Sequence, residues 1–174
     1  MTEQHISDYE DVTVYTLEDD DELEMLDLQN ELTFMWANKE GWPVGVIMSY
    51  VFDDGRFWLT ASSQRARISA VRRDPRVSVC VTSAGTSMRS GRTVTYKGHC
   101  TIHDDRETKD WYYRALAQKL YGSDPERADY FEQFLDSPRR VVLEITPTDR
   151  IGYDGRKMGK ATREAFEAYK AGQS

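Results

Sequence analysis

Between Thr60 and Arg67 the chain reads Thr-Ala-Ser-Ser-Gln-Arg-Ala-Arg, so three hydroxyls and a carboxamide are followed at once by two guanidinium groups. Placed where a strand feeds a helix, such a run makes an anion cradle. Hydroxyls and the free N–H groups of the first helical turn donate to a phosphate, and guanidinium forks neutralise it. The competing reading is a solvated helix face, which is preferred for Arg72 and Arg73. Beside the hydroxyl-rich turn, Arg65 and Arg67 are read as ligands.

Other chemistries find less support. There is no GxSxG, HExxH, Walker or GxGxxG motif, which removes the usual basis for a hydrolase, a zinc protease or a P-loop enzyme. Of the three histidines, His5, His99 and His103, two share a strand face, but four positions along a strand separate them by about 13 Å, too far for one metal. No metal site is expected. Asp53-Asp54 and Asp104-Asp105 fall where turns and caps need carboxylates. Cys80 and Cys100 lie in strand-like runs and are expected to be buried, reduced thiols. No side chain is assigned a catalytic role.

The elements that hold the cradle lie on either side of it. Arg56 to Ala61 alternates as a strand, Asp74-Pro75 stops the short arginine-bearing helix, and Arg76 to Val81 is a second strand. Upstream, an extended arm (1–17) precedes a helix over 18–31, a strand over 32–38, a Gly41-Trp42-Pro43 turn, and a long strand over 44–52 that the Asp53-Asp54-Gly55 hairpin returns into Arg56. Downstream, 83–91 has the composition of a mobile loop, and 92–103 is a strand with Val94, Tyr96, Gly98, Cys100 and Ile102 on one face. Asp104-Asp105 opens a helix with Tyr112, Leu116 and Leu120 on one side. Asp124-Pro125 opens another, expected to bury Tyr130, Phe131, Phe134 and Leu135. A strand over 139–146, a short strand over 151–153 and a helix over 160–170 complete the chain. Hairpin-linked antiparallel strands in this number close into a small barrel, giving a mainly β (α+β) domain over 18–174 with peripheral helices.

Composition bounds the partners. In 174 residues no apolar run approaches the roughly 20 needed to span a bilayer, and the residues after Met1 lack the basic start and apolar core of a signal peptide, so a cytoplasmic protein without membrane contact is expected. The net charge of -7 is uneven: the first 38 residues hold twelve Asp and Glu and no Lys or Arg, whereas the rest carries 23 basic against 18 acidic residues. The acidic start is read as a solvated arm and a carboxylate-rich helix N-terminus. The arginines are clustered and no extended basic stripe appears, which fits a phosphorylated small molecule and not nucleic acid.

Gly41-Trp42-Pro43 leading into Val44 to Tyr50, then DDGRFWLTASSQRARISAVRRDPRVSVCV, TVTYKGHCTI and the closing RVVLEITPTDRIGYDGRKM resemble the FMN-binding split barrel superfamily of pyridoxamine 5'-phosphate oxidase and its flavin/deazaflavin oxidoreductase relatives. The resemblance implies an antiparallel split β-barrel homodimer with a flavin at each subunit interface. It implies a flavin ring against Val46, Ile47, Met48 and Ser49, and a phosphate held by Thr60, the adjoining Ala61 and Ser62, and the basic Arg65 and Arg67. Arg67 stands where the family usually carries Lys, which keeps the charge and adds a fork. The substrate-phosphate residues of true pyridoxamine phosphate oxidases have no convincing copy here, so the implied activity is the broader one, hydride or electron transfer to a small organic substrate. FMN is the preferred cofactor, with the deazaflavin coenzyme F-420 as the alternative. The oligoglutamate tail of coenzyme F-420 would call on further cations, for which Arg56, Arg72, Arg73, Arg76 and Lys97 are candidates. From another class, a haem, tetrapyrrole or flavin carrier without turnover would use His99 or His103 as an axial ligand in the haem case.

Overall fold

Alternation of apolar and polar side chains drives seven segments into strands: β1 (Glu31–Ala37), β2 (Pro43–Ser49), β3 (Val51–Asp53), β4 (Arg56–Ser62), β5 (Arg76–Thr82), β6 (Arg92–His103) and β7 (Arg140–Asp154). The computed structural model describes residues 11–89 and 91–172. Its strands form one antiparallel sheet in the order β2-β1-β5-β6-β7-β4-β3. One face curls around a core in which Phe34 of β1, Phe57 and Leu59 of β4, Val79 of β5, Val94 and Tyr96 of β6, and Leu143 and Ile145 of β7 are buried. The two margins of the sheet are consecutive pieces of one run of chain. β2 pairs with β1, β3 pairs with β4, and only Tyr50 lies between them. Tyr50 is fully buried and donates its hydroxyl to the Leu26 carbonyl at 2.8 Å. The result is a half-barrel of the expected split-barrel kind, with the strand predicted over 44–52 broken at this residue.

Five α-helices among the described residues complete the domain. α1 (Asp19–Leu28) buries Met25 and Leu26 against the core, and α2 (Ala66–Arg73) places Ile68, Ala70 and Val71 in it. α3 (Arg106–Tyr121) lies on the outer face of the β4/β7 side, where Tyr112, Tyr113 and Leu116 meet Val142 in a second apolar cluster. α4 (Pro125–Leu135) packs on α3. Aspartates start both: Asp105 accepts from Thr108 N at 2.8 Å and Asp124 from Arg127 N at 3.2 Å. α5 (Gly155–Gly172) has no buried residue. No described helix is long and apolar enough to cross a membrane.

Several expectations are corrected. Tyr130 and Phe134 are 68% and 63% exposed, because α4 meets its neighbours along the 128, 131, 135 stripe and turns these two rings outward. β7 runs unbroken to Asp154, since a register irregularity at Lys97/Gly98 carries the pairing past Pro147. Gly98 is required there, as a Cβ would stand 2.5 Å from the Thr146 carbonyl oxygen. The last helix begins at Gly155, five residues early. The segment expected to be mobile is anchored: Ser83 and Met88 are buried, Ser83 N donates to Arg92 O at 3.0 Å, and Gln29 Nε2 donates to Thr82 O at 2.7 Å. Nor is the acidic start simply solvated. On α1, Asp19 and Glu22 pair with Arg150, and Asp21 with Arg92 and Arg156, while Glu18 pairs with Lys157, so the carboxylates fasten α1 to β6, β7 and α5. Of the proposed arm, residues 1–10 with His5 lie outside the described residues, and Tyr15 and Leu17 are buried.

Candidate functional site

The pleat of β4 sends Phe57, Leu59 and Ala61 into the core and Trp58, Thr60 and Ser62 to the outer face. Ala61 therefore offers a ligand only its backbone. Thr60 Oγ1 donates to the Val141 carbonyl at 2.8 Å, so its proton is committed to β7 in this arrangement. The Ser62 and Ser63 hydroxyls have no hydrogen-bond partner among the described residues, and Ser63 N donates to Arg139 O at 2.7 Å. Arg65 N then donates to Ser62 O at 3.0 Å, closing a turn that delivers the chain into α2.

That helix starts without a side-chain cap: the residue before it is Arg65, whose side chain makes no cap bond. The N–H groups of Ala66 and Arg67 consequently have no partner among the described residues, where Ser, Thr or Asp would ordinarily supply one. No acidic residue occupies the first turn either. Arg67 is half-buried, its Nε is buried with no hydrogen-bond partner, and burial, with the neighbouring Arg65 charge, lowers its pKa. Among the described residues no carboxylate pairs with Arg65 or Arg67. Two like charges at an uncapped, positive helix end form an arrangement that an anion would neutralise.

Other cations near this half of the molecule are already occupied. Arg56 is 3.0 Å from Glu144, Arg76 makes a two-pronged contact with Asp74, Lys97 is 2.5 Å from Asp149, and Arg73 donates to Ala37 O at 2.8 Å. Of the five candidates for binding an anionic tail, Arg72 alone has no partner among the described residues.

Thr60, Ala61, Ser62, Arg65 and Arg67 are thus gathered by one strand–turn–helix unit. Val46, Ile47, Met48 and Ser49 stand apart from them on the margin strand β2. Among the described residues β2 pairs only with β1, so its far side presents backbone donors and acceptors without a partner among them. Val46 and Met48 turn to the core, while Ile47 is 69% exposed. The Ser49 end connects through Tyr50 to Val51, which faces Trp58 of β4. The sequence reading missed one neighbour of the cradle. The pair Arg139-Arg140 enters β7 beside it, with Arg140 opposite Ser62 in the β4–β7 register. Two adjacent arginines opening a strand were the available signal.

The histidines are not brought together. His103 Nε2 lies 2.7 Å from Glu144 Oε2, which ties it to the Glu144–Arg56 pair, and His99 lines an open groove with Trp36, Arg76 and Lys97. Among the described residues no three His, Cys, Asp or Glu converge on a metal-sized point. Burial, aided by Glu144, pushes the Cys100 thiol up to about 12. One further surface is notable for its chemistry. Ile47, Thr33, Cys80, Thr95 and Ile151 occupy one register row across β2, β1, β5, β6 and β7 on the outer face, with no charge in it and its end residues 69% and 64% exposed.

A family model described as pyridoxamine 5'-phosphate oxidase matches residues 18–152. Among solved structures, the chain is similar to a conserved hypothetical protein of Mycobacterium tuberculosis, at 22% identity over 83% of this chain and 89% of that one, with a TM-score of 0.70. It is also similar to an FAD-binding protein of Mesorhizobium loti (20% identity, 79% and 93% covered, TM-score 0.56) and to an F-420 reductase (15% identity, 74% and 94% covered, TM-score 0.51). At these identities the likeness establishes a shared fold. No curated protein matches the sequence significantly.

Proposed function

Because the chain belongs to the pyridoxamine 5'-phosphate oxidase family, we propose that it is a flavin-dependent oxidoreductase that binds FMN at the interface of a homodimer and acts on a small organic substrate. The observation that carries this reading is the uncapped start of α2 with Arg65 and Arg67 unpaired and the Arg67 Nε buried without a partner. A buried donor left unmade costs about 1 to 3 kcal/mol, and a bound phosphate would recover it. Ser62 and Ser63 supply hydroxyl donors beside it. The unpaired margin of β2 at Val46 to Ser49 offers N–H and C=O groups suited to the polar edge of a flavin, while the exposed Ile47 offers it an apolar surface. A bound flavin would supply hydride or electron transfer, and the residues of this chain would bind it, orient it and shield it from water.

The homodimer reading rests on the uncharged row from Ile47 to Ile151. A second copy laid on this face would cover both exposed isoleucines and place its own surface next to the β2 margin. FMN is preferred to coenzyme F-420 because four of the five cations available for a polyanionic tail are already bonded. Asp19, Asp21 and Glu22 of α1 do not bear on this choice, being held by Arg92, Arg150 and Arg156.

Titration of the apo protein with FMN, followed by quenching of flavin fluorescence, tests the assignment. Replacing Arg67 by Ala removes a charge-assisted contact worth about 1.5 to 3 kcal/mol and should weaken FMN roughly tenfold to a hundredfold. An unchanged affinity would remove Arg67 from the site, and a wild-type protein that takes up no flavin would end the flavin reading.

A further inference from the structure

We infer that Arg139 and Arg140, at the entrance of β7, form a second basic wall of the cradle, and that the completed site takes a terminal phosphomonoester in preference to a phosphodiester. The inference rests on the flavin reading for the identity of the ligand, but its geometry is independent of it. Ser63 N is bonded to Arg139 O at 2.7 Å, and Arg140 is the register partner of Ser62, so the two arginines lie beside the two free hydroxyls. Adjacent strands are about 4.8 Å apart, well within the reach of an arginine side chain. Along β7, Val141 points into the core and Val142 to the outer face, which puts Arg140 on the outer face with Ser62 and Thr60.

Arg140 is half-buried, its Nε is buried with no hydrogen-bond partner, and none of its nitrogens is paired with a carboxylate among the described residues. Above it, the hydroxyls of Tyr112 and Tyr113 are also buried without partners. Burial raises both phenols, and the Arg140 charge opposes that rise in each, which places the guanidinium within electrostatic reach of both rings. On the same side Asp136 is held by Arg106 at 2.7 Å. At neutral pH all of these uncommitted groups are able to donate, and none carries negative charge.

Arg65, Arg67, Arg139 and Arg140 therefore flank Ser62 and Ser63 along the chain and across the β4–β7 ladder, without one carboxylate partner among them in the described residues. Six other arginines, Arg56, Arg76, Arg92, Arg106, Arg150 and Arg156, are paired with carboxylates. A phosphodiester brings one negative charge, whereas a phosphomonoester brings about -1.5 to -2 at neutral pH and three terminal oxygens. Four guanidinium groups on two walls match the second ligand, since each oxygen can then take a donor from either wall as well as a helix N–H.

The apo protein is titrated with FMN, with riboflavin, which lacks the phosphate, and with the cyclic phosphodiester of FMN, for the wild type and for Arg139→Gln and Arg140→Gln. Each substitution should weaken FMN by about tenfold or more and leave riboflavin unchanged. Wild type should prefer FMN to its cyclic diester, and the substitutions should shrink that preference. An FMN-to-riboflavin ratio that survives both substitutions overturns the second wall, and equal affinity for FMN and the cyclic diester overturns the monoester preference. Arg139 is exposed, so its variant decides the matter if Arg140→Gln fails to fold. If the wild type binds neither flavin, the flavin reading falls separately, and the anion site is judged on inorganic phosphate. A phosphate-induced rise in melting temperature that is lost in Arg139→Gln sustains it, and no rise, or the same rise in the variant, overturns it.

Discussion

Replacing Glu22 by Ala tests whether the acidic helix α1 is a structural fastener. Glu22 is 7% exposed and accepts from two groups, the hydroxyl of Tyr96 on β6 and the guanidinium of Arg150 on β7. The two contacts carry unequal weight. Tyr96 is buried, so the substitution leaves a hydroxyl without an acceptor, at about 1 to 3 kcal/mol. Arg150 is nearly half-exposed and keeps Asp19 at 2.7 Å, so its loss is that of a surface pair, about 0.5 to 1 kcal/mol. The total of about 1.5 to 4 kcal/mol is a large share of the 5 to 15 typical of a domain. Urea denaturation at neutral pH reads it directly. Glu22→Gln keeps an acceptor for Tyr96 and should cost no more than about 1 kcal/mol, while Tyr96→Phe combined with Glu22→Ala should cost clearly less than the two substitutions summed. A Glu22→Ala loss below about 0.5 kcal/mol, or strict additivity in the double variant, would refute the fastening argument.

Two further predictions concern protonation. With its thiol raised to about 12 by burial and by Glu144, Cys100 should resist alkylation of the folded protein at mildly alkaline pH and react only after unfolding, and rapid labelling of the native chain at Cys100 would contradict its placement. The partly exposed Asp74 carboxyl, held down to about 2 by its bonds to Arg76, should show a carboxyl NMR titration near that value. Because the folded value is depressed, its stabilisation is full above the ordinary carboxylate range and is lost as pH falls towards about 2, and a titration near the usual value of about 3.9 would refute the contact.

How far the sequence revealed this molecule depended on the range of the interactions. The strands, and the strand–turn–helix unit that carries the hydroxyl–arginine run from Thr60 to Arg67, were legible because that run and the alternation at Phe57, Leu59 and Ala61 are local patterns. The break at Tyr50 was not, since Val51 to Asp53 continues the same polarity while changing its pairing partner from β1 to β4. In α4, apolar residues at 130, 131, 134 and 135 surround too much of the helix for the buried side to be chosen without knowing that α3 is its neighbour. The role of the acidic start was hidden for a different reason: Glu22 meets Arg150 128 positions later in the chain. Arg139 and Arg140 stood out only as adjacent arginines opening a strand, and their place beside Ser62 and Ser63 comes from the long-range β4–β7 ladder.

The single residue between β2 and β3 limits how this fold can vary. Both margins of the sheet take their phase from one stretch of backbone, with β2 read against β1 on one side and β3 against β4 on the other. Inserting or deleting one residue at Tyr50 would shift one ladder by a position and turn its side chains to the opposite face. Length changes are readily absorbed at the Asn38–Gly41 turn, where the backbone is exposed, but position 50 has no such slack. Among descendants of this sequence, the spacing between Met48, which faces the core from β2, and Phe52, which packs against the same core from β3, should therefore stay constant while the turns on either side drift in length.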